Sequence, residues 1–448
     1  MKIDPHLTPA LSPPSEGAER EKICGTVNPG RRSRTRFALG YYLPGFQPFH
    51  QASGPSHLTP TLSPSEAQRE ERRARIPGLT KRVVKWHFVN TMNEDAKDTF
   101  SRRLRQARVM RALSLRGLAE TLKGAVSHNA LAKYENGEMM AGSDVLGLLS
   151  DALKQPPDFF FRPFTLQLKE IKFRKRARLG VKGAEAIREQ ALEYFERYHE
   201  IEELLGESRR FEGKLDIKPV KTPEDADDAA DELRRKWKLG RDPLPNLFEL
   251  LETKGIKVYE LELEEDDCDG FSAETEMGPV IVLAPGKNVL RKRMTTAHEA
   301  AHIVLPLAAS LSEKDEENIA KRFAGALLLP KETFTAEFGK LRNGISLAEL
   351  IEMKANFGAS ISAIMMRARQ LNLINEAVFL RFCKIAVPWR SARAEPGDER
   401  YQGNESHSRF RQLVQRAVAE DQISMSKGAA LLRQSLGDFR RELQEVFA

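Results

Sequence analysis

Two histidines four residues apart, with a glutamate directly after the first, stand in the run Thr295–Leu305 as His298-Glu299-Ala300-Ala301-His302. On a helix, residues four apart lie nearly one above the other, so both imidazoles can address one cation. Glu299 then projects beside them, where a carboxylate can polarise a metal-bound water. The neighbours favour a helix: Ala297, Ala300 and Ala301 are strong formers, Thr295 or Thr296 can cap its start, and Pro306 stops it. A plain buried helix is the other reading, since five residues match such a pattern by chance fairly often.

A catalytic zinc usually takes three protein ligands and leaves the fourth position to water. The stretch Asp315–Pro330 reads as a second helix, with Ile319, Ala320, Phe323, Ala324, Leu327 and Leu328 on its apolar face. Glu317 lies close to that stripe and can face the first helix, whereas Asp315 and Glu316 point elsewhere, toward solvent. Together, H-E-x-x-H and the downstream E-x-x-A-x-x-F-A-x-x-L-L-x-P resemble the ImmA/IrrE family of zincin-like metallopeptidases. The resemblance implies that His298, His302 and Glu317 bind Zn2+ and that Glu299 is the catalytic base. Ala301 stands where the family usually has glycine, which adds a methyl group and removes no ligand. No Tyr or His close in sequence offers itself as an oxyanion stabiliser.

A second constellation lies upstream. Phe100, Leu104, Ala107 and Arg108 repeat at helical spacing, then comes Leu113-Ser114-Leu115-Arg116-Gly117-Leu118-Ala119 and a turn at Lys123-Gly124-Ala125. The run Val126-Ser127-His128-Asn129-Ala130-Leu131-Ala132-Lys133-Tyr134-Glu135-Asn136-Gly137 follows, with Ser127 placed to cap a helix and Asn136-Gly137 to end it. A further helix through Val145, Leu149 and Leu153 ends near Pro156-Pro157. Over about residues 99–161 this resembles the Cro/C1-type (XRE) helix-turn-helix family. Arg116 stands where a glutamine is common, and Lys123-Gly124 lengthen the turn. The resemblance implies a double-stranded DNA operator as partner. His128, Asn129 and Lys133 are then candidates for base edges, with Ser127 at the helix start and Arg116 nearer the phosphates. Residues 97–163 carry 11 Lys+Arg against 7 Asp+Glu, a surplus suited to phosphate contacts. A helical protein-interaction module is the plainer reading of the same helices.

These two stretches must be positioned by the rest of the 448 residues, which leave room for two or three domains. The formal charge of +7 is misleading as a nucleic-acid signature. Residues 1–91 hold 14 Lys+Arg and 7 Asp+Glu, which accounts for all of it and leaves 92–448 balanced. That leader also holds 11 of the 24 prolines and repeats His6-Leu7-Thr8-Pro9-Ala10-Leu11-Ser12-Pro13 as His57-Leu58-Thr59-Pro60-Thr61-Leu62-Ser63-Pro64. It is expected to be disordered or never translated, with Met92 as the true start; a basic tail that touches nucleic acid is the other reading. Cys24, Cys268 and Cys383 are too scattered for a disulfide framework or a metal knuckle, so a reducing, cytoplasmic location is expected, with Cys268 a small buried residue. No run of about 18 apolar residues is present, so no membrane span is expected.

The expected fold class is mainly α with a small β-sheet (α+β). A five-helix Cro/C1-type domain spans 97–163, and a helical linker follows at 164–222. In that linker a basic run, Lys172–Arg178, is read as a solvated face that packs through Phe173, with contact to DNA beside the helix-turn-helix as the other reading, and a charged helix, Ala184–Leu205, serves as connector or dimer contact. A zincin-like domain at 223–375 places short strands at Gly255–Tyr259 and Val280–Leu283, with Asp269–Ala273 leading through a turn between them. The run from about Asp225 to Arg369 follows the family's order: Asp-Gly-Phe-Ser segment, strand, Arg291/Arg293 pair, metal helix, glutamate helix. A helical region at 376–448 closes the chain, opened by a mobile polar loop near Glu395-Pro396. The functional expectation is a sequence-specific transcriptional regulator, homodimeric on its operator, whose peptidase-like domain cleaves a partner repressor. A non-catalytic regulator or antitoxin, using that domain for sensing or scaffolding, stays open beside it.

Overall fold

The computed structural model describes residues 81–166, 168–169, 181–261, 269–285, 288–403, 405–406 and 408–445, and Gly78–Ala448 form one compact unit. The expectations for the repeat, the basic run Lys172–Arg178, Cys24 and Cys268 lie outside the described residues. Cys383 is half-buried and free.

The first helix, α1 (Lys81–Met110), runs straight through Met92, so regular structure begins inside the leader. The last leader proline is Pro77, and neither Pro nor Gly interrupts the chain from Lys81 to Met110. Three short helices follow: α2 (Leu115–Thr121), α3 (His128–Glu135) and α4 (Ser143–Leu153), with a 3-10 turn at Pro157–Phe161 in the fifth position. Phe100, Leu104, Leu118, Leu131, Leu149 and Phe159 form their fully buried core. The lengthened turn between α2 and α3 is a left-handed pair, Lys123 (φ 53°) and Gly124 (φ 78°). Gly124 N–H donates to the Ala119 carbonyl at 3.1 Å, which closes the end of α2 and reverses the chain within a few residues.

Beyond them lie β1 (Leu168–Lys169), α5 (Val181–Leu205), α6 (Asp225–Lys236), α7 (Leu247–Thr253), β2 (Lys257–Glu260), β3 (Gly270–Thr275) and β4 (Gly278–Leu283). The four strands have the order β1-β3-β4-β2, with β2 parallel to β4 and the other pairs antiparallel. The Asp-Gly-Phe-Ser segment, expected to lead through a turn, is itself a strand: Phe271 and Ala273 alternate inward around Ser272. Both faces of the sheet are covered. Val258, Ile281 and Leu283 join one core, Tyr259, Phe271, Val280 and Val282 the other.

The first core is closed by α8 (Val289–Val304), α9 (Glu313–Leu328), α10 (Lys331–Phe338), α11 (Leu347–Phe357), α12 (Ile361–Gln370), α13 (Glu376–Ile385) and α14 (Val387–Ala392). The segment read as a polar loop has a capping role. The Glu395 carboxylate accepts from the N–H groups of Ile361 (2.6 Å) and Ser362 (3.1 Å) at the start of α12. The second core is closed by α5 and by three tail helices, α15 (Arg409–Ala419), α16 (Met425–Leu431) and α17 (Leu436–Glu445). Tyr194 of α5 stacks on Tyr259 with ring centroids 4.0 Å apart.

The acids of α5 are paired across the molecule. Glu196 meets Arg103 of α1 at 2.6 Å, Glu193 meets Arg433 at 2.7 Å, and Glu202 meets Lys257 of β2 at 3.1 Å. This helix therefore sits at the junction of the three cores.

Candidate metal centre and nucleic-acid interface

Helix α8 starts at Asn288, whose side chain accepts from Leu290 N–H at 2.8 Å, and it ends before Pro306. Ala297, Ala300 and Ala301 are fully buried, and small side chains there let α9 lie close alongside. Ala301 packs into the first core, so its extra methyl is absorbed by the fold. Ser312 caps α9 by accepting from Asp315 N–H, and the exposed Asp315 side chain answers by accepting from the Ser312 hydroxyl.

The two helices bring His298, His302 and Glu317 together, with donor atoms all within 4.8 Å of one another. The ring nitrogens Nε2 of the two histidines are 3.3 Å apart. Glu317 Oε2 lies 3.4 Å from His298 Nε2, and Oε1 lies 3.8 Å from His302 Nε2. Ligands about 2.0–2.1 Å from a tetrahedral zinc stand about 3.3 Å apart, so the triangle fits such an ion. Side-chain exposures of 12% for His298, 6% for His302 and 20% for Glu317 leave the site open on the glutamate side.

Glu299 is buried beside this triangle, and its Oε2 accepts from the Ser272 hydroxyl at 2.9 Å. Ser272 is the residue that sequence reasoning missed. The signal was there in the alternation Phe271, Ser272, Ala273, which turns Ser272 to the opposite face of β3 from its neighbours. Gly270 permits the approach of β3 to α8: a Cβ there would stand 2.8 Å from the Val282 carbonyl oxygen and 3.0 Å from Thr295 Cγ2. The Arg291/Arg293 pair divides its labour. Arg291 reaches Asp269 at the head of β3 (2.8 Å), while Arg293 is wholly buried and donates to the carbonyls of Gly358 and Leu244, both at 2.8 Å. Arg293 also pairs with Glu405, whose other oxygen accepts from Leu247 and Phe248 N–H at the start of α7.

In the helix-turn-helix, Arg116, Ser127, His128, Asn129 and Lys133 are all exposed. Ser127 caps α3 by accepting from Ala130 N–H at 3.2 Å, so its hydroxyl has a structural duty as well. The orientation of α3 is set from behind. Arg108 of α1 grips Glu135 through two hydrogen bonds of 2.6 and 2.8 Å, and Lys97 donates to the Glu138 carbonyl at 2.9 Å. The contact to Glu135 raises the Arg108 guanidinium above its ordinary pKa, so this clamp stays charged.

Comparison with known proteins agrees with this division. The IrrE N-terminal-like domain family matches residues 251–369, and a helix-turn-helix family matches residues 104–160. No curated protein matches the chain. Among the described residues no helix is long and apolar enough to cross a membrane. With the helix-turn-helix and the histidine–glutamate triangle both in place, the chain joins an XRE-type helix-turn-helix domain to an ImmA/IrrE-type metallopeptidase-family domain.

Proposed function

We propose that this DNA-binding regulator is sequence-specific and that its second domain is a zinc peptidase acting on a protein partner such as a repressor. The observation that carries the reading is the convergence of His298, His302 and Glu317 beside Glu299, at the spacing one tetrahedral ion requires. Zinc held there supplies Lewis-acid polarisation of a scissile carbonyl. Glu299 takes the proton of the attacking water and returns it to the leaving amine. Ser272 holds the Glu299 carboxylate in one orientation, so that its second oxygen is left for the proton. On the DNA side, His128, Asn129 and Lys133 read the major groove, Arg116 contacts phosphate, and two copies span half-sites about one helical turn apart.

The test is a set of measurements on one preparation. Purified protein is expected to carry about one zinc per chain, and His298→Ala or Glu317→Ala to lose it, since each removes one of only three protein ligands. Glu299→Gln keeps both the zinc and operator binding, yet abolishes derepression in cells. Zinc-loaded Glu299→Gln with normal regulation would instead establish the sensing or scaffolding role, and a metal-free wild type would sink the ligand assignment. Equal affinity for operator and random DNA would end the reading as a specific regulator.

A further inference from the structure

Away from the metal triangle, α11, α12, α13 and α14 enclose an apolar cavity of about 160 Å3, walled by Ile345, Leu347, Met365, Phe382, Ile385 and Trp389. Its lip is apolar too: Leu347 is 43% exposed and Ile385 is 56% exposed. Small-molecule sites usually enclose about 300–1,000 Å3, so this cavity is too small for one. An apolar cavity of roughly 150 Å3 does hold a benzene ring, so a single Phe or Leu side chain fills it. Concavity of this size suits a side-chain anchor, as when a helix lays its apolar face into a groove.

The rim is cationic. Residues 377–394 contain Arg381, Lys384, Arg390 and Arg393 and no Asp or Glu. Arg381 lines the cavity itself, and Arg381, Lys384 and Arg390 are exposed with no carboxylate partner among the described residues. On the other wall, Glu349 of α11 is already engaged by Arg342. A second copy of this chain would bring the same cations face to face. A membrane surface presents no protruding side chain to fill a cavity. We propose that this groove docks an acidic amphipathic helix of a partner protein, with one bulky apolar side chain seated against Phe382, Ile385 and Trp389 and its carboxylates on Arg381, Lys384 and Arg390. This surface is separate from the peptidase reading and does not depend on it.

The experiment uses the full chain and three fluorescein-labelled synthetic helical peptides. One carries leucines and a phenylalanine on one face and glutamates beside them. The second has lysines in place of the glutamates, and the third has alanines in place of the apolar residues. The acidic amphipathic peptide is expected to bind at least roughly tenfold more tightly than either control, about 1.4 kcal/mol. Ile385→Ser and Arg381→Glu, both on exposed side chains, should each weaken it by a similar factor with an unchanged melting temperature; Arg381→Glu should also narrow the preference for the acidic over the lysine peptide. Equal binding of the lysine peptide, or no binding of any, would overturn the proposal. So would binding to phosphatidylglycerol vesicles in place of the peptide, or self-association abolished by Ile385→Ser without peptide binding.

Discussion

Replacing Glu252 by glutamine should make the protein more stable at alkaline pH and leave it nearly unchanged at acid pH. Glu252 lies on α7, is 3% exposed, and accepts from the Tyr198 hydroxyl of α5 at 3.4 Å. Burial pushes its carboxyl from an ordinary 4.5 up to about 7, against the pull of Arg409, the Tyr198 hydroxyl and Lys257. Between those two values the folded protein holds the proton and the unfolded chain has lost it. Stability from this group is therefore full below the lower value and is lost as pH rises through the upper one. At 1.36 kcal/mol per pH unit, the interval amounts to about 3 kcal/mol by pH 8. The glutamine cannot ionise, so it removes that loss. It strands no cation, because Lys257 and Arg409 both still face Glu202, at 3.1 and 3.5 Å. Urea unfolding of wild type and Glu252→Gln at pH 4 and pH 8 reads the effect directly: the two curves should nearly coincide at pH 4 and separate by about 3 kcal/mol at pH 8. Parallel pH dependence in the two proteins would show that Glu252 ionises normally in the folded state and refute the argument.

Two further outcomes concern the elements that position the sites. Glu196→Ala should destabilise the protein by about 3 kcal/mol, because it breaks an ion pair whose side chains are 0% and 1% exposed. Arg103 keeps the Gln106 side chain and the carbonyls of Arg162 and Pro163 as acceptors, so Glu196→Gln should lose clearly less in the same denaturation experiment. Gly270→Ala should cost about 1–3 kcal/mol by overpacking β3 against Val282 and Thr295, read as a lower melting temperature with zinc content retained.

The convergence of the two histidines and the glutamate was legible because its geometry is local. The i,i+4 spacing of His298 and His302 fixes two donors on one helix face, and the apolar stripe of Ile319, Phe323 and Leu327 turns Glu317 toward them. The same holds for the helix-turn-helix, whose caps Ser114 and Ser127 do what short polar side chains do before a helical run. Where the determinants are distant in sequence, the reading stops short. The charged helix expected as a connector or dimer contact carries Glu193, Glu196 and Glu202, and they are buried because Arg433, Arg103 and Lys257 arrive from remote parts of the chain. Glu395 likewise reads as a loop acid until the N–H groups of α12 are seen beneath it. Ser272 was hidden by Gly270, which suggested a turn but in fact serves a close packing of strand on helix.

The two-sided sheet bears on how portable the peptidase-like part can be. Residues 251–369 match the family, yet the wall behind Tyr259, Phe271, Val280 and Val282 is built from α5 and the tail helices, which lie outside that range on either side. A piece cut at the family boundaries would carry the histidines, their glutamate and Glu299 while leaving a bare aromatic and aliphatic surface behind them. The smallest piece that keeps both faces of the sheet covered is then the whole run from α5 to α17, and the helix-turn-helix is tied to it by the ion pair of Arg103 and Glu196.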